Sequence, residues 1–142
     1  MNLYPAVIVH GMEDVRLAMR PRRPVLLLSA PGAALFAGCG FWLALVGRAG
    51  VEFPGGTMQN ALDCADASGA ALAAIRIGVH GLVLRPDAPG FAAVAAIAAE
   101  RGLFLMTTPP SSLDLSVRGS ARHLESWLAR PSRDIDSATR LR

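Results

Sequence analysis

The sequence contains no lysine, so all 14 of its basic residues are arginines. This absence excludes a Schiff-base lysine, a pyridoxal-phosphate lysine and the lysine of a phosphate-binding P-loop. Other signature motifs are missing as well, because the chain has no GxSxG elbow, no GxGxxG after its first apolar segment and no HxH or CxxC spacing. We therefore expect no metal site, and the sequence leaves the cofactor unknown.

Charge and aromatic residues are also scarce in the middle of the chain. The net charge is +3 and aromatic residues make up 6% of the sequence, while residues 24–110 hold four arginines against five acids. A nucleic-acid surface needs a continuous basic face, ideally with aromatic side chains among the arginines. The local cluster Arg16, Arg20, Arg22 and Arg23 has only Tyr4 near it in the sequence. We do not expect nucleic-acid binding.

The two cysteines, Cys39 and Cys64, predict free buried thiols in a reducing compartment, which favours a cytoplasmic protein. The first residues lack a basic region before an apolar run, so no signal peptide is expected. The uncharged stretch 24–47 has the length of a membrane span. Pro31-Gly32 divides this stretch into one part as long as a strand and another as long as a helix. We therefore expect a buried strand followed by a buried helix, and no association with a membrane.

Short apolar segments alternate with alanine-rich segments that begin near Pro-Gly or Ser-Gly and end at glycine. The expected strands cover residues 6–9, 25–28, 61–64, 82–84 and 103–106, and the expected helices cover 13–19, 32–46, 68–76 and 91–101. Fully apolar strands between helices are typical of parallel sheets covered on both faces. We predict a three-layer α/β/α fold with a mostly parallel sheet of about five strands and a flavodoxin-like order. A fragment of a (β/α) barrel is the alternative.

The pattern changes after Pro110, so we predict an α/β core domain over residues 1–110 and a C-terminal extension over 111–142. The extension would hold one amphipathic helix near residues 120–130, with Leu124, Trp127 and Leu128 on one side, and a flexible tail.

Ligand sites in open parallel sheets lie at the carboxyl ends of the strands, so polar residues there are the candidates. His10 could serve as a general base, and Asp63 with Asp66 could form a carboxylate pair for acid–base work or a cation. The alternatives are a His10 held by the backbone and an Asp66 that caps the next helix. The weaker ligand-binding candidates are Ser29, Gly32, Ser68, Arg85 and Thr107, among which Gly32 and Ser68 mark helix starts that suit a phosphate or carboxylate.

Two hypotheses of function remain. The missing motifs, the apolar second helix and the tryptophan-bearing extension favour a non-catalytic binding or assembly module that forms a homo-oligomer. The alternative is an enzyme or sensor for a small anionic metabolite, phosphorylated or carboxylated, bound at the strand ends.

Overall fold

The computed structural model describes residues 2–134 of the 142-residue chain. The strands are β1 (Asn2–Leu3), β2 (Ala6–Ile8), β3 (Val25–Leu28), β4 (Met58–Asp63), β5 (Gly81–Val83), β6 (Phe104–Met106), β7 (Ser112–Asp114) and β8 (Arg133–Asp134). The helices are α1 (Met12–Met19), α2 (Ala33–Phe36), α3 (Cys39–Glu52), α4 (Ser68–Ile77), α5 (Phe91–Glu100) and α6 (Leu124–Leu128), with a 3₁₀ turn over Ser120–His123.

Six strands form one parallel sheet in the order β6-β5-β4-β3-β2-β7. The predicted α/β class with a mostly parallel sheet is confirmed. As in a flavodoxin-like sheet, the first strand of the sheet, β2, is internal and has later strands on both sides. Its outer neighbour is the last strand, β7, whereas in the flavodoxin order that neighbour is the second strand.

The two faces of the sheet are covered differently. Consecutive strands from β2 to β6 lie side by side, and right-handed crossovers between such strands place their helices on one face. The buried residues of every helix join the strand residues of that face in one core, which includes Val7, Leu27 and Leu62. The core of the second face contains no helical residue in the described part of the chain. It includes Leu26 and Phe104.

The layer over the second face is the antiparallel ribbon β1–β8 together with the segment after β6. Gln59 of β4 binds the ribbon at two points, since its Oε1 accepts from the Tyr4 N–H over 3.0 Å and its Nε2 donates to the Asn2 carbonyl over 2.7 Å. A groove of about 510 Å³ runs between the ribbon and residues 108–111. The strand residues of this face, among them Leu26 and Phe104, are buried.

The C-terminal extension packs against this sheet. Its strand β7 pairs with β2 from Ala6↔Ser112 to Ile8↔Asp114, and Leu124 and Leu128 enter the helix-side core. The predicted amphipathic helix is realised as the 3₁₀ turn followed by α6, and the Trp127 Nε1–H donates to the Ala6 carbonyl over 2.8 Å. The predicted flexible tail lies outside the described residues, apart from Arg133–Asp134 in β8.

The single helix predicted over residues 32–46 is wrong, because the chain forms two helices there. Gly38 separates α2 from α3 with φ 86° and ψ 156°, a conformation that side-chain-bearing residues rarely adopt. The predicted burial of this region does not extend to Leu35 and Phe36, which are exposed. No helix within residues 2–134 combines the length and apolar character needed to cross a membrane.

A bidentate ion pair joins α1 to α3. Arg16 donates from Nε and Nη2 to the two carboxylate oxygens of Glu52 over 2.9 and 2.8 Å, and Arg48 Nε adds a third bond of 3.3 Å. The Arg16 hydrogen bond, helped by Arg48 and opposed by desolvation, lowers the pKa of Glu52 to about 2 from its usual 4.5. The stabilisation from this depressed pKa is complete above pH 4.5 and is lost as the pH falls toward 2.

Glu52→Gln is therefore expected to lower the free energy of unfolding at pH 7 and to leave it unchanged at pH 2. Urea denaturation at the two pH values measures the difference. The matched control is Glu100→Gln, since Glu100 is exposed at the end of α5 and makes no ion pair within the described residues. An equal loss for Glu52→Gln at both pH values would contradict the assignment.

Candidate functional site

The carboxyl ends of all six parallel strands lie at one edge of the sheet, and the predicted site residues follow them. His10 lies beyond β2, Ser29 beyond β3, Asp63 at the end of β4 and Arg85 beyond β5. Thr107, beyond β6, is buried. The predicted site residues therefore lie along this edge of the sheet, and their contacts differ from one strand end to the next.

Asp63 and Ser29 form one network between β3 and β4. Asp63 Oδ1 accepts hydrogen bonds from the N–H groups of Gly32, over 3.1 Å, and Ala65, over 2.9 Å. Ser29 Oγ accepts from the Asp63 N–H over 2.9 Å and donates to the Ala30 carbonyl over 3.1 Å. Asp63 is 5% exposed and Ser29 is 2% exposed. These contacts hold the loops after the two strands in place and occupy one oxygen of the carboxylate.

The loop after Asp63 is held in an unusual backbone conformation. Ala65 has φ 52°, in the left-handed region, and its carbonyl accepts from the Arg85 N–H over 2.8 Å. Asp66 is exposed and makes no hydrogen bond within the Asp63 network, and no side chain caps α4. The expected capping by Asp66 or Ser68 is therefore absent. Ser68 Oγ instead donates to the Pro89 carbonyl.

The remaining polar candidates have their own neighbours. Arg85 Nη2 donates to Asp87 Oδ2 over 2.8 Å, with both side chains well exposed. Cys64 is buried, and desolvation together with the negative charge of Asp63 raises the pKa of its thiol to about 12. It stays protonated at neutral pH and is a poor nucleophile. Cys39 is also free but only partly buried, in contrast to the expectation of two buried thiols.

His10 pairs with Asp114, a partner that the sequence analysis missed. The His10 Nε2–H donates to Asp114 Oδ1 over 2.8 Å, and the same oxygen accepts from the N–H and hydroxyl of Ser116. Desolvation raises the pKa of Asp114, but the hydrogen bonds from His10 and Ser116 outweigh it, so this pKa lies below its usual value. The alternation in Ser112-Leu113-Asp114-Leu115 and the following Ser116 are the sequence signals that could have indicated a strand ending in a polar turn.

The side chains of His10, Asp63 and Arg85 thus hydrogen-bond to three separate sets of groups along the edge. The geometry brings Asp63 together with Ser29 and Gly32, and it brings His10 together with Asp114. Within residues 2–134, no three His, Cys, Asp or Glu side chains lie close enough together to hold a metal ion.

A small cavity of about 50 Å³ opens at this edge beside β2 and β3. Its lining includes the polar residues His10 and Ser29, and Trp42 from the first turn of α3. Trp42 is 2% exposed, and its Nε1–H has no hydrogen-bond partner among the described residues. The other lining residues are Val9, Ala30, Ala33, Phe36, Ala37, Gly38, Phe41 and Leu62.

Comparison with known proteins finds no family model that matches this chain and no curated relative that matches it.

Proposed function

We propose that the protein is a non-catalytic assembly module that associates with a second copy of itself through an apolar surface on α2 and α3. The observation that carries this proposal is the exposure of three large apolar side chains at this corner of the molecule. Leu35 is 60% exposed, Phe36 is 72% exposed and Phe41 is 51% exposed. Such side chains gain free energy when a partner removes them from water, and grouped exposure of this kind marks interaction sites.

The absence of charge around these side chains favours a second copy as the partner. No residue from Pro24 to Gly47 is charged, whereas the chain as a whole carries a net charge of +3. Two like-charged copies repel each other least when they meet through their uncharged surfaces.

The exposed side of α3 extends the surface beyond the three large side chains. Ala44, Gly47 and Val51 are exposed at spacings of three and four residues, and Val51 is 81% exposed. Residues at such spacings lie on one side of a helix, and the small ones let a partner helix approach closely. A stable interface buries roughly 800 Å² on each partner, which three side chains alone do not supply. We call the set Leu35, Phe36, Phe41, Ala44, Gly47 and Val51 the α2–α3 surface.

The polar residues of the sheet edge support a non-catalytic role. Asp63 is engaged by two backbone N–H groups, and Arg85 is paired with Asp87. A general base or anion-binding group needs free hydrogen-bonding capacity toward a substrate. These contacts engage one oxygen of the Asp63 carboxylate and one nitrogen of the Arg85 guanidinium within the protein itself.

Phe36→Ser is expected to shift the protein from dimer to monomer. Burial of a phenylalanine side chain contributes about 1.5–3 kcal/mol, so its loss should weaken association by roughly 10-fold to 100-fold. Sedimentation velocity over a concentration series measures the dissociation constant. Because Phe36 is 72% exposed, the fold should be retained, which far-UV circular dichroism checks.

The matched control is Val117→Ser, because Val117 is 59% exposed but lies outside the α2–α3 surface. This variant should associate like the unmodified chain. Equal weakening by both substitutions, or unchanged association of Phe36→Ser, would overturn the assignment of the surface.

A further inference from the structure

We propose that the groove between the β1–β8 ribbon and residues 108–111 binds a small aromatic carboxylic acid. Its volume of about 510 Å³ falls within the roughly 300–1,000 Å³ of pockets that hold small organic ligands. None of the site residues predicted at the strand ends lines this groove, and the groove shares no residue with the α2–α3 surface. The proposed site is therefore separate from the assembly role.

Arg130 is the residue on which the proposal rests. It lines the groove, and its guanidinium carbon lies 3.9 Å from the centre of the Trp127 ring. The ring is itself held in place, because the Trp127 Nε1–H donates to the Ala6 carbonyl over 2.8 Å. A guanidinium stacked on an aromatic ring keeps its in-plane N–H groups for other acceptors. The stacking therefore orients a planar donor group before a ligand binds.

The charges along the groove favour a ligand with one negative charge. Arg130 and Arg133 both line the groove, and neither makes an ion pair within residues 2–134. One acid, Asp134, also lines it, so two arginines and one acid give the lining a formal charge of +1. This charge matches a carboxylate better than a doubly charged phosphate. Arginine binds carboxylates through two parallel N–H donors, which makes Arg130 the expected partner.

The other residues of the groove favour a flat apolar body on the ligand. Leu3 and Met106 line the groove and belong to the buried core of the second face of the sheet. The lining also includes Tyr4 and four prolines, which are Pro5, Pro109, Pro110 and Pro131. Aromatic rings pack well against such side chains, and the outer face of a stacked guanidinium can hold a second ring. An aromatic ring that carries one carboxylate meets both requirements.

The direct test is a calorimetric titration with 2-naphthoate. The uncharged 2-naphthamide has the same rings and nearly the same size, so it serves as the control for charge. We expect naphthoate to bind saturably at one site per chain, and the amide to bind roughly tenfold or more weakly. Equal affinities for the two compounds, or no binding of naphthoate, would overturn the proposal. Binding of a decaproline peptide in place of naphthoate would also overturn it, since grooves with aromatic walls can hold such peptides.

A pair of variants tests the role of Arg130. Arg130→Gln removes the stacked guanidinium and should weaken naphthoate binding by roughly tenfold to 100-fold. The matched control is Arg118→Gln, because Arg118 is exposed, does not line the groove and makes no ion pair within the described residues. Arg130 is exposed as well, so both variants should fold, which far-UV circular dichroism checks. Equal naphthoate affinities of the two variants would contradict a site at Arg130.

The two tryptophan indole N–H signals in a proton–nitrogen NMR spectrum show where naphthoate binds. Trp127 lines the groove and Trp42 does not. The ring current of a naphthoate stacked on Arg130 should shift the Trp127 signal saturably and leave the Trp42 signal in place. Equal shifts of both signals, or a shift of Trp42 alone, would contradict the assigned groove. Phe36→Ser should bind naphthoate as tightly as the unmodified chain, so a failure of this site is distinguished from a failure of self-association.

Discussion

Gly81→Ala is expected to lose about 3 kcal/mol or more of the free energy of unfolding. A Cβ at this position would lie 2.6 Å from the Asn60 carbonyl oxygen and would overlap the ring of Phe104. Gly81 pairs with Phe104 across β5 and β6, and the aromatic ring packs where a side chain would stand. Relief would require movement of a β4 carbonyl in the middle of the sheet. Urea denaturation gives the loss directly.

The matched control is Gly69→Ala. This glycine lies in the first turn of α4, its φ is not positive, and a Cβ there would meet nothing within 4 Å. Because alanine is a better helix former than glycine, this variant should be as stable as the unmodified chain or up to about 1 kcal/mol more stable. A Gly81→Ala protein as stable as the Gly69→Ala protein would show that the register of β5 and β6 is wrong.

Asp63→Ala is expected to destabilise the protein by about 2–4 kcal/mol. Asp63 is 5% exposed, and its carboxylate accepts from the N–H groups of Gly32 and Ala65. Removal leaves both donors without their acceptor, at a cost of about 1–3 kcal/mol for a buried group, and it frees the left-handed Ala65 from its restraint. Thermal and urea denaturation measure the loss.

Two companion variants separate this role from a general effect of charge. Asp63→Asn keeps an oxygen acceptor and should lose only about 1 kcal/mol. Asp66→Ala removes an exposed carboxylate three residues away and should stay within about 0.5 kcal/mol of the unmodified chain. If the two alanine variants were equally stable, Asp63 would not hold the loops after β3 and β4.

The strands that the sequence predicted best are those whose residues are all apolar. Val25–Leu28 forms β3 with the predicted bounds, and the strands β5 and β6 and helices α4 and α5 lie within a residue or two of expectation. These segments could be predicted because they share one local sequence pattern, in which short apolar runs alternate with helices that glycines bound. The strand β4 begins at Met58, earlier than predicted. The prediction missed Met58, Gln59 and Asn60 because they do not form a continuous apolar run. The strand β7 was not predicted, since only its central leucine is apolar.

The sequence predicted where the candidate site lies, but not which side chains contact one another there. Parallel strands bring their carboxyl ends to one edge, so His10, Ser29 and Asp63 were identified from chain order alone. The partners are set by tertiary pairing, and His10 meets a residue 104 positions away because β7 returns to lie beside β2. The sequence could not assign that return, because strand order depends on the packing of the whole sheet.

The break at Gly38 is the difference with most consequence. Apolar residues continue on both sides of it, so the pattern predicts one helix, and only the left-handed backbone of the glycine divides it. The division exposes Leu35 and Phe36 on the short α2, and it creates the second helix start beside Trp42. The proposed assembly surface follows from this one residue.

Light scattering of the unmodified chain, from dilute to concentrated solution, tests the assembly role most directly. If the α2–α3 surface binds a second copy, the mass should rise with concentration toward twice the 14.9 kDa of one chain. A mass that stays at 14.9 kDa at the highest concentration would contradict self-association.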